Sequence, residues 1–164
     1  MDIIWQELTA GLPDARQLVQ VLVRLVAATL LGAVVGLQRE RAGKPAGLRT
    51  HMLVTLGTAV FVISCGGVGM SLEGLSRVIQ GIVTGIGFIG AGSILKLDEQ
   101  RDIQGLTTAA GVWMAAAIGV SCGLGSIGVA VLSTIFTIFI LSWATRIERR
   151  VNERRAAEAA ARNN

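Results

Sequence analysis

The sequence predicts an all-α membrane protein of five transmembrane helices, and three observations carry that reading. Hydrophobic residues make up 52% of the 164 positions and charged ones only 16%, less charge than a soluble domain of that apolar content usually carries. The charges are segregated, so that five long stretches are almost free of them. Each stretch approaches the ~20 apolar residues that a helix needs to cross a hydrocarbon core about 30 Å thick. The same composition excludes other classes. Two cysteines are too few for a disulfide scaffold, and 4% aromatic residues with no Tyr offer no stacking platform for a nucleic acid. The expected surroundings are a lipid bilayer, with no nucleic-acid partner.

Residues 1–17 read as a periplasmic segment rather than a signal peptide, because Asp2, Glu7 and Asp14 stand where a basic region belongs. Within it Ile3, Ile4, Trp5 and Leu8 predict a short interfacial helix, turned by Gly11 and Pro13 into the first span. The transmembrane domain is expected over residues 18–144. Its first span, 18–37, is interrupted only by Gln20 and Arg24. The second, 52–70, and the third, 78–95, carry no charge, and the third follows a helix start at Ser76. The fourth and fifth, 106–123 and 127–144, form a hairpin over a short turn at 124–126. Backbone groups in lipid must be satisfied within their own segment, so these are helices and not open sheet.

Orientation follows from Lys and Arg, which concentrate on the cytoplasmic side. The loops 38–51 and 96–105 and the basic tail 145–164 hold twelve of the fifteen basic residues, leaving Arg16, Arg24 and Arg77 on the other half. The N-terminus is therefore expected outside and the C-terminus inside. Arg154, Glu158 and Arg162 are spaced for i,i+4 pairs, so the tail reads as a helical extension attracted to anionic lipid.

Gly85-Ile86-Gly87-Phe88-Ile89-Gly90 spells the dinucleotide fingerprint. That motif works only where a strand turns into a helix opening at a phosphate. Here it lies inside an uncharged span, so no cofactor is expected. Small residues in a membrane helix let neighbouring backbones approach. Gly32, Gly36, Gly85, Gly87, Gly90 and Gly92 are accordingly read as helix-packing positions, with a broken helix lining a polar path as the sharper alternative.

A shift of 58 residues aligns the first two spans with the next two. Gly32, Ala33 and Leu37 fall on Gly90, Ala91 and Leu95, and Gly47, Leu48 and Thr50 fall on Gly105, Leu106 and Thr108. The expectation is a parallel internal repeat about an axis along the membrane normal. The alignment also sets Glu40, Arg41 and Lys44 against Asp98, Glu99 and Asp102, so the two cytoplasmic loops could clasp through ion pairs.

Two stretches then carry a family resemblance. One is Gly36-Leu37-Gln38-Arg39-Glu40 with Lys44-Pro45-Ala46-Gly47-Leu48-Arg49-Thr50-His51-Met52. The other is Gly85-Ile86-Gly87-Phe88-Ile89-Gly90-Ala91-Gly92 with Gly105-Leu106-Thr107-Thr108-Ala109-Ala110 and, further on, Trp113. Together they resemble the MgtC/SapB family of bacterial membrane proteins. The resemblance implies an inner-membrane protein associated with growth at low magnesium and survival inside host cells. For virulence-type members it implies restraint of the F-type ATP synthase through its membrane sector. Two departures bear on the virulence role. Gln38 stands where the family often has Glu, and Thr107 where virulence-type members carry Asn. Those members also continue into a soluble C-terminal domain, so the sequence reads as a short form.

Two functions compete. The first is a regulator that binds another membrane protein, such as the ATP synthase membrane sector or a transporter; the second is a conduit for magnesium or another small cation. Magnesium wants octahedral oxygen ligands, and no Asp or Glu falls inside the five expected spans. No catalytic constellation and no metal-ligand set is read, so an enzyme is not expected. The expected partner face is cytoplasmic: Arg39, Glu40, Arg49, Thr50 and His51 on one loop, Thr107 and Thr108 at the other. A homo-oligomer is compatible with the glycine content. Arg24 is read as snorkelling to the outer interface, His51 as a helix-start residue, Cys65 and Cys122 as small packing residues, and Trp143 as an interfacial anchor.

Overall fold

The computed structural model describes Ile4 and residues 14–67, 69–97 and 102–143. It contains α1 (Ala15–Arg41), α2 (Leu48–Gly67), α3 (Leu72–Gly92), α4 (Leu106–Gly123) and α5 (Ile127–Trp143). Helices stand in all five places where spans were expected. The first four are long and apolar enough to cross a membrane, and α5 is shorter over its described residues. The interfacial helix expected near Trp5 and the tail 145–164 lie outside the described residues.

The helix ends differ from expectation, each for a local reason. α1 begins three residues early because the Asp14 carboxylate accepts from the Gln17 N–H at 2.7 Å. It continues through Arg39 and Arg41, cations that suit a helix C-terminus. At 27 residues it is about 40 Å long, more than the thickness of the hydrocarbon core. α2 begins at Leu48, so the expected loop 38–51 shrinks to residues 42–47, and Arg49, Thr50 and His51 become helical. α3 starts after Ser71 rather than at Ser76. The Ser71 hydroxyl accepts from Gly74 N–H at 3.2 Å, and Glu73 in the first turn pairs with Arg77.

α3 also stops earlier, at Gly92, where the Ser93 hydroxyl donates back to the Gly90 carbonyl at 2.7 Å. The chain then forms a feature no periodicity announced. β1 (Leu95–Leu97) pairs antiparallel with β2 (Asp102–Gln104), with Leu95 opposite Gln104 and Leu97 opposite Asp102. Asp98 and Glu99, two of the three residues that the second loop was expected to bring to the ionic clasp, lie outside the described residues. Glu40 is committed elsewhere, as described below.

α4 is the hub, with half of its hydrophobic window buried. It packs against α1, α2 and α3, while α1 and α2 make the broadest contact and α2 and α3 touch sparsely. Ala28 and Val35 of α1, Ala59 of α2, Ile118 and Cys122 of α4 and Ala130 of α5 form the main core. Both cysteines are free and buried. The outward residues of α1 and α5, among them Leu22, Val26, Leu30, Leu132 and Phe136, are apolar and exposed, as a lipid-facing surface requires.

Close approach explains the glycines unevenly. A Cβ at Gly32 would meet the Thr55 hydroxyl and, at 2.8 Å, the His51 carbonyl; one at Gly36 would meet Leu48 Cα at 2.7 Å. Gly119 is equally tight against Thr55 and Thr58. Gly90 makes ordinary contact with Ala109 at 3.6 Å. Gly85, Gly87 and Gly92 do not pack: nothing lies within 4 Å of where their Cβ atoms would be. For these three the packing expectation is corrected within this chain. Their helix is held through its opposite face, and Gly85 opens onto an apolar groove of about 590 Å³ between α2 and α3, lined by Leu53, Gly57 and Phe61 among others. The fingerprint-like run is helical throughout, with no strand before it.

Two pairs of positions lie 58 residues apart in the structure. α2 starts at Leu48 and α4 at Leu106. Gly32 approaches the His51 carbonyl, and the aligned Gly90 approaches the aligned Ala109 carbonyl.

Overpacking a close-packed site costs about 1–3 kcal/mol or more, against about 0.5 kcal/mol for changes in open space. Gly119→Val is therefore expected to destabilise the protein strongly and Gly85→Ala hardly at all, measured by unfolding in mixed detergent micelles.

Candidate functional site at converging helix ends

Three helix ends converge on one buried polar cluster. Arg39, near the end of α1, is only 2% exposed. Its Nη2 donates to the Thr108 hydroxyl at 3.1 Å and more weakly to the Thr107 hydroxyl at 3.4 Å, both in the first turn of α4. His51, in the first turn of α2, is fully buried. Its Nδ1 lies 2.9 Å from the Gly47 carbonyl. A carbonyl oxygen only accepts, so Nδ1 carries the hydrogen, and in the neutral ring Nε2 keeps its lone pair.

That Nε2 has no hydrogen-bond partner among the described residues, nor has the buried Gln38 Oε1. Gly111, one turn along α4 from Thr107 and Thr108, leaves the space beside them. A Cβ there would stand 3.5 Å from His51 Nε2 and 3.9 Å from Arg39 Nε. The cluster thus presents one guanidinium, two hydroxyls and an imidazole acceptor beside a glycine gap. No group of three or more His, Cys, Asp or Glu side chains suited to a metal occurs among the described residues.

The expected face divides. Arg39, His51, Thr107 and Thr108 come together. Glu40 points instead to α2, where its Oε2 accepts from the Leu48 N–H at 2.9 Å. It is a helix cap, and Gly47 is small so that it can approach. Arg49 remains exposed beside the cluster, and Thr50 is half-buried. Sequence reading missed Gln38 as a buried acceptor and Gly111 as the gap. The signal for Gly111 was available, since its i+4 spacing from Thr107 puts both on one helix face.

At the other end of the helices, Arg24 does not simply snorkel. Its Nη1 donates to the Gly123 carbonyl at the C-terminus of α4, at 2.9 Å. There the helix dipole favours a cation. The next turn is shaped around it: Gly125 has φ +81°, and a Cβ there would meet Arg24 Nη2 at 2.8 Å.

Against known proteins, the profile of the MgtC family matches residues 25–150. The chain is 43% identical to SrpB of Synechococcus elongatus, over 77% of this chain and 75% of SrpB. It is 40% identical to MgtC of Salmonella typhimurium over 80% of this chain, but spans only 55% of that protein. YhiD of Escherichia coli K12, whose name marks it as a candidate magnesium transporter, is 38% identical over 73% of this chain and 58% of its own length. No solved structure matches.

Removing a buried acceptor from a charged donor costs about 1–3 kcal/mol. Thr108→Val should destabilise by that amount. Thr107→Val, at an exposed position with the longer contact, should cost visibly less. Thermal unfolding of the two purified variants makes the comparison, and equal losses would count against the assigned geometry.

Proposed function

This chain belongs to the MgtC family, and from that premise we propose that it is a bacterial inner-membrane regulator acting on another membrane protein during adaptation to low magnesium. The observation that carries the reading is the division of labour at the cytoplasmic helix ends. Arg39, Glu40 and the two threonines are engaged in holding helices together, while Arg49 is exposed next to them. A planar, permanently charged guanidinium binds carboxylates in a bidentate fashion. Arg49 is the residue we assign to partner contact, with Thr50 beside it. Partners consistent with the family resemblance are the F-type ATP synthase membrane sector or a transporter. The positive-inside asymmetry supports placing this face in the cytoplasm, N-terminus out and C-terminus in.

The second reading is a magnesium or small-cation transporter, favoured by the name of YhiD and by the buried acceptors Gln38 Oε1 and His51 Nε2. Against it stands the chemistry of the ion. Magnesium demands about six oxygen ligands and sheds water reluctantly. Among the described carboxylates, Asp14, Glu40 and Glu73 stand at helix ends, the first two committed to capping and the third paired with Arg77, and Asp102 opens β2.

The expected results separate the readings. Arg49→Ala should fold with stability changed by no more than about 0.5 kcal/mol, yet impair growth at low magnesium. Wild-type protein in liposomes should show no saturable magnesium flux; such flux would establish the transporter. A reporter fused after Asn164 should be active only if it works in the cytoplasm, and periplasmic activity would overturn the orientation.

A further inference from the structure

α3 wears its polarity on the wrong side for a helix facing lipid. Its inward face is Leu75, Ile79, Ile82, Ile86 and Gly90, all buried or half-buried. A second face, centred about 120° round the helix from the first and flanked by the exposed Phe88, carries Ser76, Gln80, Thr84, Gly87 and Ala91, which fall within a sector of about 80° and are all exposed. No residue in that stripe is a large hydrophobe. The outward residues of α1 and α5 are the reverse, as shown above.

Gln80 is the decisive member. It lies about 12 Å along the helix from Leu72, inside the hydrocarbon. Its side-chain amide makes no hydrogen bond among the described residues; the Thr84 hydroxyl uses the Gln80 backbone carbonyl instead, at 3.0 Å. An amide with two donors and an acceptor in lipid calls for a protein partner. About two and three turns beyond Gln80, Gly87 and Ala91 form a small-xxx-small pair on the same face, which lets a second backbone approach closely.

We propose that this face of α3 is the interface with a second copy of the chain, related by a two-fold axis along the membrane normal. Membrane topology makes the two copies of α3 parallel, so each stripe residue meets its own counterpart. The stripe is self-complementary under that operation. An amide both donates to and accepts from its twin, and small residues oppose small residues. Outside the hydrocarbon, the exposed Glu73 and Arg77 put opposite charges one turn apart, so each acid can reach the other copy's base. This goes beyond the regulatory reading and does not depend on it.

The test uses the full chain in lipid. Thr84→Cys and Ala91→Cys, made separately, are oxidised in native membranes with copper phenanthroline; Phe139→Cys, on the lipid face of α5, is the control. Disulfide-linked dimers are expected from the first two and not from the control or from the wild type, whose own cysteines are buried. In nanodiscs the wild type should be dimeric, with Gln80→Leu dissociating about 3- to 30-fold more readily, the range for one interhelical hydrogen bond. A monomer in lipid, cross-linking no stronger than at Phe139, or cross-linking of α3 to a different protein alone would overturn the proposal. The cysteine variants leave Gln80 in place, so the result stands even if Gln80→Leu folds poorly.

Discussion

A permanently charged guanidinium buried to 2% exposure, at the end of a membrane helix, is the constraint that organises this protein. Burying a charge is costly unless hydrogen bonds compensate it. Thr108 and Thr107 supply acceptors to Arg39, which obliges the first turn of α4 to sit against the last turns of α1. The next residue, Glu40, reaches the other way and caps α2. Two neighbours in sequence therefore tie one helix end to two others. His51, oriented by its bond to the Gly47 carbonyl, fills the angle between them.

That convergence works only if the helices come close, and the small residues allow it. The tight contacts of Gly32, Gly36 and Gly119 lie along the α1–α2 and α2–α4 seams that lead away from the cluster. A looser contact, Gly90 against Ala109, stands 58 residues along the sequence from Gly32 against His51, without the same chemistry. Arg39 and His51 align with Leu97 and Ala109. The polar cluster therefore draws its cation and imidazole from one hairpin and its hydroxyls from the other. It forms once, between the halves, and not twice within them.

Most of this architecture was legible, because membrane spans announce themselves by length and apolar content, and the family motifs marked Arg39, His51, Thr107 and Thr108. The boundaries were less so. Hydropathy follows the hydrocarbon, whereas α1 and α3 begin at the polar caps Asp14 and Ser71, outside it. The β-hairpin was missed because three-residue strands carry too little alternation to stand out. The glycines misled where composition replaced direction: Gly85, Gly87 and Gly92 share a motif with Gly90, but a helix turns 100° per residue, and only Gly90 faces α4. Gln38 and Arg24 could be placed only once their helix had neighbours.

α1 grips α4 at both ends. Arg39 holds its first turn and Arg24 its last carbonyl. Arg24 to Arg39 spans fifteen residues, and so does Thr108 to Gly123, so two antiparallel helices of equal rise, about 22 Å, bring both clamps into register. The two clamps differ electrostatically. A cation suits the C-terminal carbonyl end of α4, while at its N-terminus, where the dipole opposes a cation, hydroxyl acceptors are needed. α2 is stitched into this frame by Glu40 and by close packing at Gly32 and Gly119, and α5 by Ala130 in the core. α3 lacks any such tie among the described residues, resting on α4 through Gly90 and a few isoleucines. Of the four long helices, the one with the smallest buried share is thus the one that carries polar groups outward. The clamped frame fixes the Arg39 cluster in place, and the face of α3 that its own chain leaves uncovered stands apart from that frame.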